Sequence, residues 1–430
     1  MTVTSARVPD TRVRRLAATL YGYAFLTDVV LLYPLYPLLF SDTGLSVGQI
    51  SSLFVLWSVT AIALEVPSGA WADAVSRRLL LCLAPLLAGA GFAVWVFLPS
   101  YPAFAAGFLL WGAGGALASG ALEALVFTEL DRLGAAGRYA RTMGRAKTAG
   151  VLGTLAAAAL AGPVLAAGGY PAVGVASVAA CLLAAAIAVR FPEHRAPDPA
   201  PTGPPTGDGP THAHGDPETD VSAESGWLAS LRTGLDEART DRRLAAAVLL
   251  VAVVAAVWGG LDEYVPLLIR ETGVPAAGVP ALVALMTIGV TLGGLAAPLG
   301  ERLGDRGYAA LLAASAVALA VGAGSGQPVG LALVAAAFGG LQLATVLADA
   351  GLQTRITGPS RATVTSLAGM ATDLTIIGVY AGYALAAGVG GHRWAFAVAA
   401  VPYLLVAGWL LVARRPARPR RPAQSGRASR

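Results

Sequence analysis

Apolar residues run along this chain in long unbroken blocks, neither alternating nor confined to one helical stripe. A membrane-spanning helix needs about 20 mostly apolar residues. Twelve blocks reach that size, at 16–40, 48–70, 79–98, 103–127, 146–168, 171–190, 244–269, 279–299, 308–324, 328–348, 362–388 and 393–413. The pattern predicts an all-α membrane protein with twelve spans. The first block is expected to be a span and not a cleaved leader, because it is too long for an h-region, carries Asp28 and two prolines, and has no small-residue cleavage site.

Basic residues fall very unevenly between the blocks. Twenty-eight of the 30 Lys and Arg lie on the side of the N-terminus, from Arg7 through the Arg77–Arg78 pair to the tail beyond Arg414. The other side has only Arg270 and Arg393. The positive-inside rule then predicts a cell-membrane protein with both termini cytoplasmic, and an even number of spans agrees with that.

The one long polar stretch, 192–243, is rich in Pro, Gly, Thr and Asp and reads as a cytoplasmic linker. Near its end Trp227, Leu228, Leu231 and Leu235 fall at helical spacing, which predicts a short amphipathic helix on the inner membrane face. The linker separates a six-helix bundle at 1–191 from a second at 244–413, and a basic tail follows at 414–430. The halves resemble each other. Pro37-Leu38-Leu39-Phe40-Ser41-Asp42-Thr43-Gly44 recurs as Pro266-Leu267-Leu268-Ile269-Arg270-Glu271-Thr272-Gly273, 229 positions later. A weaker Gly/Ala-rich match relates Gly162–Gly168 to Gly382–Gly388 at an offset of 220. Parallel repeats of this kind place a binding site between the halves near the bilayer midplane.

Composition narrows the possibilities. The chain has 430 residues, 56% hydrophobic and 13% charged, with mean hydropathy +0.66. Soluble domains carry about 25% charged residues, so an ordinary cytosolic enzyme is excluded. Cys82 and Cys181 both lie in apolar runs and read as small core hydrophobes. The net charge of +5 is a topology signal and not a nucleic-acid footprint, since the arginines are scattered over many segments.

The loop after span two reads Glu65-Val66-Pro67-Ser68-Gly69-Ala70-Trp71-Ala72-Asp73-Ala74-Val75-Ser76-Arg77-Arg78. Gly69, Asp73, Arg77 and Arg78 match the signature loop G-x-x-x-D-x-x-G-R-R/K of the major facilitator superfamily, with Ser76 at the usual second glycine. With twelve spans and a six-plus-six repeat, the whole chain resembles that family. The resemblance implies a loop that latches the two halves on the cytoplasmic side through Asp73 and Arg77, with Glu65 nearby. The matching second-half loop, Gly300 to Arg306, is degenerate, so the latch is expected to be one-sided. Gly162-Pro163 and Gly168-Gly169 partly resemble the span-five glycine motif of drug–proton antiporters, with two extra residues between. In span four Phe108 stands where those antiporters carry an arginine, a departure from their usual coupling scheme.

The chemistry must come from polar groups within the spans. A charge at mid-bilayer costs about 2.5–3.5 kcal/mol on the insertion scale, so such residues face a cavity or a partner. The acids expected in or near the spans are Asp28, Glu65, Glu123, Asp262, Glu263 and Asp373, and no base lies deep in any span. Asp28 is expected halfway along span one. Adjacent helical positions point about 100° apart, so at most one of Asp262 and Glu263 is expected to face the cavity. Asp373, near the middle of span eleven between Thr372 and Thr375, is with Asp28, Asp262, Glu263 and Glu123 a candidate for proton or substrate coupling, the alternative being a local bond to threonine. The aromatic and amide residues Tyr33, Tyr36, Trp57, Trp111, Trp258, Tyr264, Gln342 and Tyr380 are candidate cavity walls.

Several acids without a buried base predict a negative cavity. The expectation is proton-coupled export of a lipophilic or cationic small molecule by a monomer, with no cofactor beyond the proton gradient. Each inward proton yields roughly 2.3 kcal/mol per 100 mV. The rival readings are an importer of a sugar or metabolite and a non-transporting membrane receptor. No nucleotide-binding, metalloprotease or nucleophile-elbow motif appears, so neither an enzyme nor an ATP-driven pump is expected.

Overall fold

A computed structural model describes residues 10–194, 242–356 and 361–413, of which 10, 65–74, 243, 361–363 and 413 are described in backbone only. The expected amphipathic helix, most of the linker and the basic tail lie outside the described residues. The described chain is all-helical, with no strand. The first half comprises α1 (Asp10–Asp28), α2 (Tyr36–Asp42), α3 (Val47–Ala74), α4 (Arg77–Phe97), α5 (Tyr101–Ala118), α6 (Ala121–Arg132) and α7 (Tyr139–Ala188). The second comprises α8 (Arg242–Asp262), α9 (Val265–Glu271), α10 (Val279–Leu295), α11 (Ala297–Gly300), α12 (Asp305–Gly324), α13 (Leu331–Gln353), α14 (Arg361–Ala399) and α15 (Val401–Ala413).

Among the described residues, nine helical stretches are long and apolar enough to cross a membrane. Two of them greatly exceed one crossing, Ala136–Ala188 with 53 residues and Val364–Val412 with 49. Each turns at a single glycine, Gly169 with φ 65° and Gly391 with φ 76°. A left-handed backbone costs an ordinary residue about 1–2 kcal/mol, and glycine escapes this. The two arms of α7 are therefore the expected spans five and six, and α14 with α15 supplies eleven and twelve.

The first expected span is the one that departs most from a continuous helix. α1 ends at Asp28 and α2 starts only at Tyr36. Pro34 and Pro37 cannot donate backbone hydrogen bonds, so regular helix fails here. The Leu32 N–H instead donates to the buried hydroxyl of Ser177 in α7 at 3.0 Å. Span seven breaks at the equivalent place, between Asp262 and Val265, with Pro266 in the first turn of α9. The repeated Pro-Leu-Leu sequence is thus a seven-residue helix in both halves, α2 and α9, each leading to a positive-φ glycine, Gly44 or Gly273. The weaker repeat needs correcting. The turn glycines Gly169 and Gly391 are 222 positions apart, so the halves align there two residues away from the expected offset. Span four is also interrupted, at Ser119 and Gly120.

Within the first half α7 packs on α1 and α4, and α5 packs on α3 and α4. In the second, α8 packs on α13 and α14, while α12 packs on α13, α14 and α15. Small residues let the backbones approach closely: a Cβ on Gly91 would strike the carbonyl oxygen of Gly107. Large apolar side chains point outward, such as Leu385 at 75% and Leu405 at 68% exposed. Lipid tails are as apolar as leucine, so a bilayer accepts that surface. The halves meet where α3 lies against α14, α7 against α10, and α2 against α9.

Candidate functional site

Two cavities that share Trp57 lie between the halves. The first, about 270 Å³, is lined by Tyr33, Tyr36, Trp57 and Trp111 of the first half and by Asp262 and Glu263 of the second, with Thr154 and Thr287 adding hydroxyls. The second, about 320 Å³, is lined by Trp57, Ser58 and Ser119 on one side and by Asp373 and Tyr380 on the other. Among the described lining residues of either, none is lysine or arginine.

Asp262 and Glu263 both line the first cavity, against the expectation that only one could. The 100° rule holds only inside a helix, and α8 ends at Asp262, so Glu263 already belongs to the break before α9. Neither carboxylate makes a hydrogen bond or ion pair among the described residues.

Asp28 lies halfway along span one, as expected, but at a helix end rather than within a helix. It is the last residue of α1, at the break. Its carboxylate lies against the backbone of α7 where Gly150 leaves room, and a Cβ there would collide with Oδ2. It lines neither cavity. The neighbouring groups that could have satisfied it are turned elsewhere. Thr27 Oγ1 bonds back to the carbonyls of Tyr23 and Ala24, and the Tyr33 hydroxyl donates to the Thr27 carbonyl at 3.2 Å. Asp28 therefore stands behind Tyr33, one residue removed from the cavity.

Asp373 lines the second cavity. Its flanking threonines do not serve it: Thr372 donates to the Ala368 carbonyl at 2.8 Å and Thr375 to that of Ala371 at 2.6 Å. Glu123 sits in the first turn of α6, exposed and outside both cavities.

The cavity wall is aromatic. Tyr33 stacks on Trp111 with ring centroids 5.4 Å apart, and Trp57 stacks on the same indole at 5.0 Å. Behind them Phe108 is fully buried against Trp95 and Phe40, so an aromatic core fills the position where the antiporter motif has arginine. Trp258 and Gln342 are not brought to either cavity. Trp258 donates to Thr345 Oγ1 at 3.1 Å, and Gln342 lies beside Gly294 of α10. Tyr264 is not a cavity wall but a fully buried bridge, sharing a 2.7 Å hydrogen bond with Ser51 of α3. Ser51 carries no signal in the sequence, because nothing there distinguishes it from its neighbour Ser52 at the start of an apolar block.

Contacts between the halves gather toward the arginine-poor end. Phe54 touches both Tyr264 and Tyr380. Gly162 of the span-five motif is buried where a Cβ would strike the Ala277 carbonyl, so that motif joins the second half here. Pro163 lies within continuous helix beside it, Gly168 packs toward Ala172, and Gly169 makes the turn. Two acids end-cap these turns in parallel. Asp42 accepts from the Tyr170 hydroxyl at 2.6 Å, and Glu271 accepts from the Arg393 N–H at 3.0 Å and faces its guanidinium at 3.5 Å.

At the arginine-rich end, the side chains of Glu65, Gly69 and Asp73 lie outside the described residues. Arg78 is exposed, and Arg77 donates to Thr128 Oγ1 at 3.1 Å in its own half. Sequence reasoning missed Glu193, whose carboxylate accepts the Arg77 N–H at 2.7 Å and the Ser76 hydroxyl, capping α4. Beside it the buried Glu129 accepts the backbone N–H of His194 at 2.9 Å and meets its imidazole at 3.1 Å.

Residues 19–375 match the family model described as Major Facilitator Superfamily. No curated relative matches the chain in sequence. Among solved structures, the chain is similar to nucleoside transporter NupG, with TM-score 0.71 and 11% identity over 94% of this chain and 100% of that one. It is also similar to a bacterial homologue of the human lysosomal transporter Spinster in an inward-facing, unoccupied conformation, with TM-score 0.66 and 16% identity over 94% and 96%. A D-xylose–proton symporter gives TM-score 0.62 and 15% identity over 93% and 97%.

Proposed function

The chain belongs to the Major Facilitator Superfamily, and we propose that this transporter is a proton-coupled exporter of lipophilic or cationic small molecules. It crosses the cell membrane twelve times with both termini in the cytoplasm, and it works by alternating access. The contacts at the arginine-poor end, Ser51 with Tyr264 and Gly162 with Ala277, close that side, so the conformation described is the one loaded from the cytoplasm.

One observation carries the reading: Asp262 and Glu263 line an aromatic cavity that has no base. Stacked indole and phenol faces attract a cation and accept an apolar body. Asp262 is exposed to the cavity and Glu263 half-buried, so two adjacent carboxylates without a base form a negative site whose mutual repulsion a cationic cargo or a proton relieves. Cargo and proton then compete for the same groups. Protons taken up from the outer side by both carboxylates displace the cargo, and the neutral empty cavity can rock back. Asp28, behind Tyr33, is placed to sense which occupant is bound. Asp373 extends the same surface toward the cytoplasmic mouth.

The test is flux of tetraphenylphosphonium in proteoliposomes under an imposed pH gradient. Gradient-driven efflux is expected from the wild type. D262N/E263Q is expected to lose it while retaining gradient-independent exchange. Undiminished gradient-driven flux in the double variant overturns proton coupling through this pair, and net uptake down the proton gradient overturns the direction.

A further inference from the structure

A groove of about 590 Å³ lies between α1 and the end of α7, far from the central cavities. It is lined by Arg15, Ala18, Thr19, Ile187 and Arg190. On α1 the lining residues follow helical spacing, and Gly22 continues the same face with Ile187 packed above it. Arg190 lies two residues beyond the C-terminal end of α7 and Arg15 in the N-terminal turns of α1, and both line the same groove.

Both arginines are exposed, and neither makes an ion pair or hydrogen bond among the described residues. The carboxylates nearest Arg190 in sequence are already engaged. Glu193 caps α4 through Ser76 and Arg77, and Glu129 holds His194 and faces Arg132. No carboxylate is among the described lining residues. Two cations and a hydroxyl therefore converge on one volume.

Below the arginines the surface turns apolar. Leu182 and Leu183, one to two turns before Arg190, are 54% and 56% exposed. The groove thus offers charged, forked donors at its mouth and apolar surface along its length. We infer that it is a binding site for the phosphodiester headgroup of an anionic glycerophospholipid, with Arg15, Thr19 and Arg190 on the phosphate and the acyl chains running over Ile187 and Leu183. Arginine presents paired N–H donors that match phosphate oxygens, and basic pockets between membrane helices on the cytoplasmic side take such headgroups. A lipid seated there would brace span one against span six, the pair that carries Asp28 at its other end.

Native mass spectrometry of the full-length chain, released from micelles holding phosphatidylglycerol or phosphatidylcholine at equal concentration, tests this. The wild type is expected to retain phosphatidylglycerol preferentially. Each of R15Q and R190Q should weaken that retention about five-fold, and R15Q/R190Q roughly 30-fold. R15K/R190K should keep most of it, which guards against a fold defect. R302Q/R306Q removes two exposed arginines from the second half and should change nothing. An equal loss in R302Q/R306Q, or unchanged retention in R15Q/R190Q, overturns the site. Displacement of the lipid by millimolar inorganic phosphate, seen in the wild type and not in R15Q/R190Q, overturns the lipid as its occupant.

Discussion

Tyr264 of the second half and Ser51 of the first share a 2.7 Å hydrogen bond, buried at the arginine-poor end of the interface between the halves. Tyr264 also stacks on Tyr383 with centroids 3.6 Å apart and lies next in sequence to Glu263, which lines the cavity. A closing contact and a cavity carboxylate are therefore adjacent residues on one helix break.

Removing the clamp should open the arginine-poor side. A buried neutral hydrogen bond is worth about 1 kcal/mol net, roughly a five-fold change in population. Y264F and S51A are each expected to raise labelling of T287C from that side, in a C82S/C181A background. An unchanged labelling rate in both variants would show that the bond does not hold the closed state.

The glycine turns differ in a way that substitution should reveal. G169A meets only Pro171 Cδ at 3.5 Å, so its cost is conformational, about 1–2 kcal/mol. G391A carries the same backbone cost and also crowds the Glu271 carboxylate that holds Arg393. Thermal unfolding in detergent should place G391A below G169A. The reverse order would count against the Glu271 contact as a brace for the turn.

The Glu193 cap should hold the Ser76–Arg77 loop to the end of span six. E193A leaves the Arg77 N–H and the Ser76 hydroxyl without their acceptor, which costs about 1–2 kcal/mol. Protease sensitivity near residues 75–78 is expected to rise, with E193Q intermediate. Equal sensitivity in wild type and E193A would remove this role.

Gly150 and Gly153 of α7 test the seat of Asp28. G150A pushes on the Asp28 carboxylate, a side chain that can turn away, whereas G153A strikes the Phe25 carbonyl, which cannot. G150A should therefore alter gradient-driven transport more than stability, and G153A should lower the unfolding temperature more. Identical effects of the two on both measurements would mean that Asp28 has no special relation to this wall.

Much was legible without coordinates. Long apolar blocks announce membrane helices because the bilayer demands them. The Pro-Leu-Leu-x-x-acid-Thr-Gly repeat marked α2 and α9 before their shape was known. Prolines and glycines were visible too, but not what they do. Pro34 and Pro37 break a span that hydropathy reads as continuous, and that break moves Asp28 from mid-helix to a helix end.

By itself the sequence determined class: a two-halved, all-helical membrane protein with most of its 25 acids in loops and only six in or near the spans. These follow from composition and periodicity, which act locally along the chain. Tertiary structure alone decided which acids share a cavity, that Tyr264 bonds to Ser51 across 213 positions, and that Gln342 and Trp258 turn away from the cavities. Those outcomes depend on how helices rotate and where they break. A bilayer rewards apolar surface on every side of a helix, so the sequence pattern carries little record of which face turns inward.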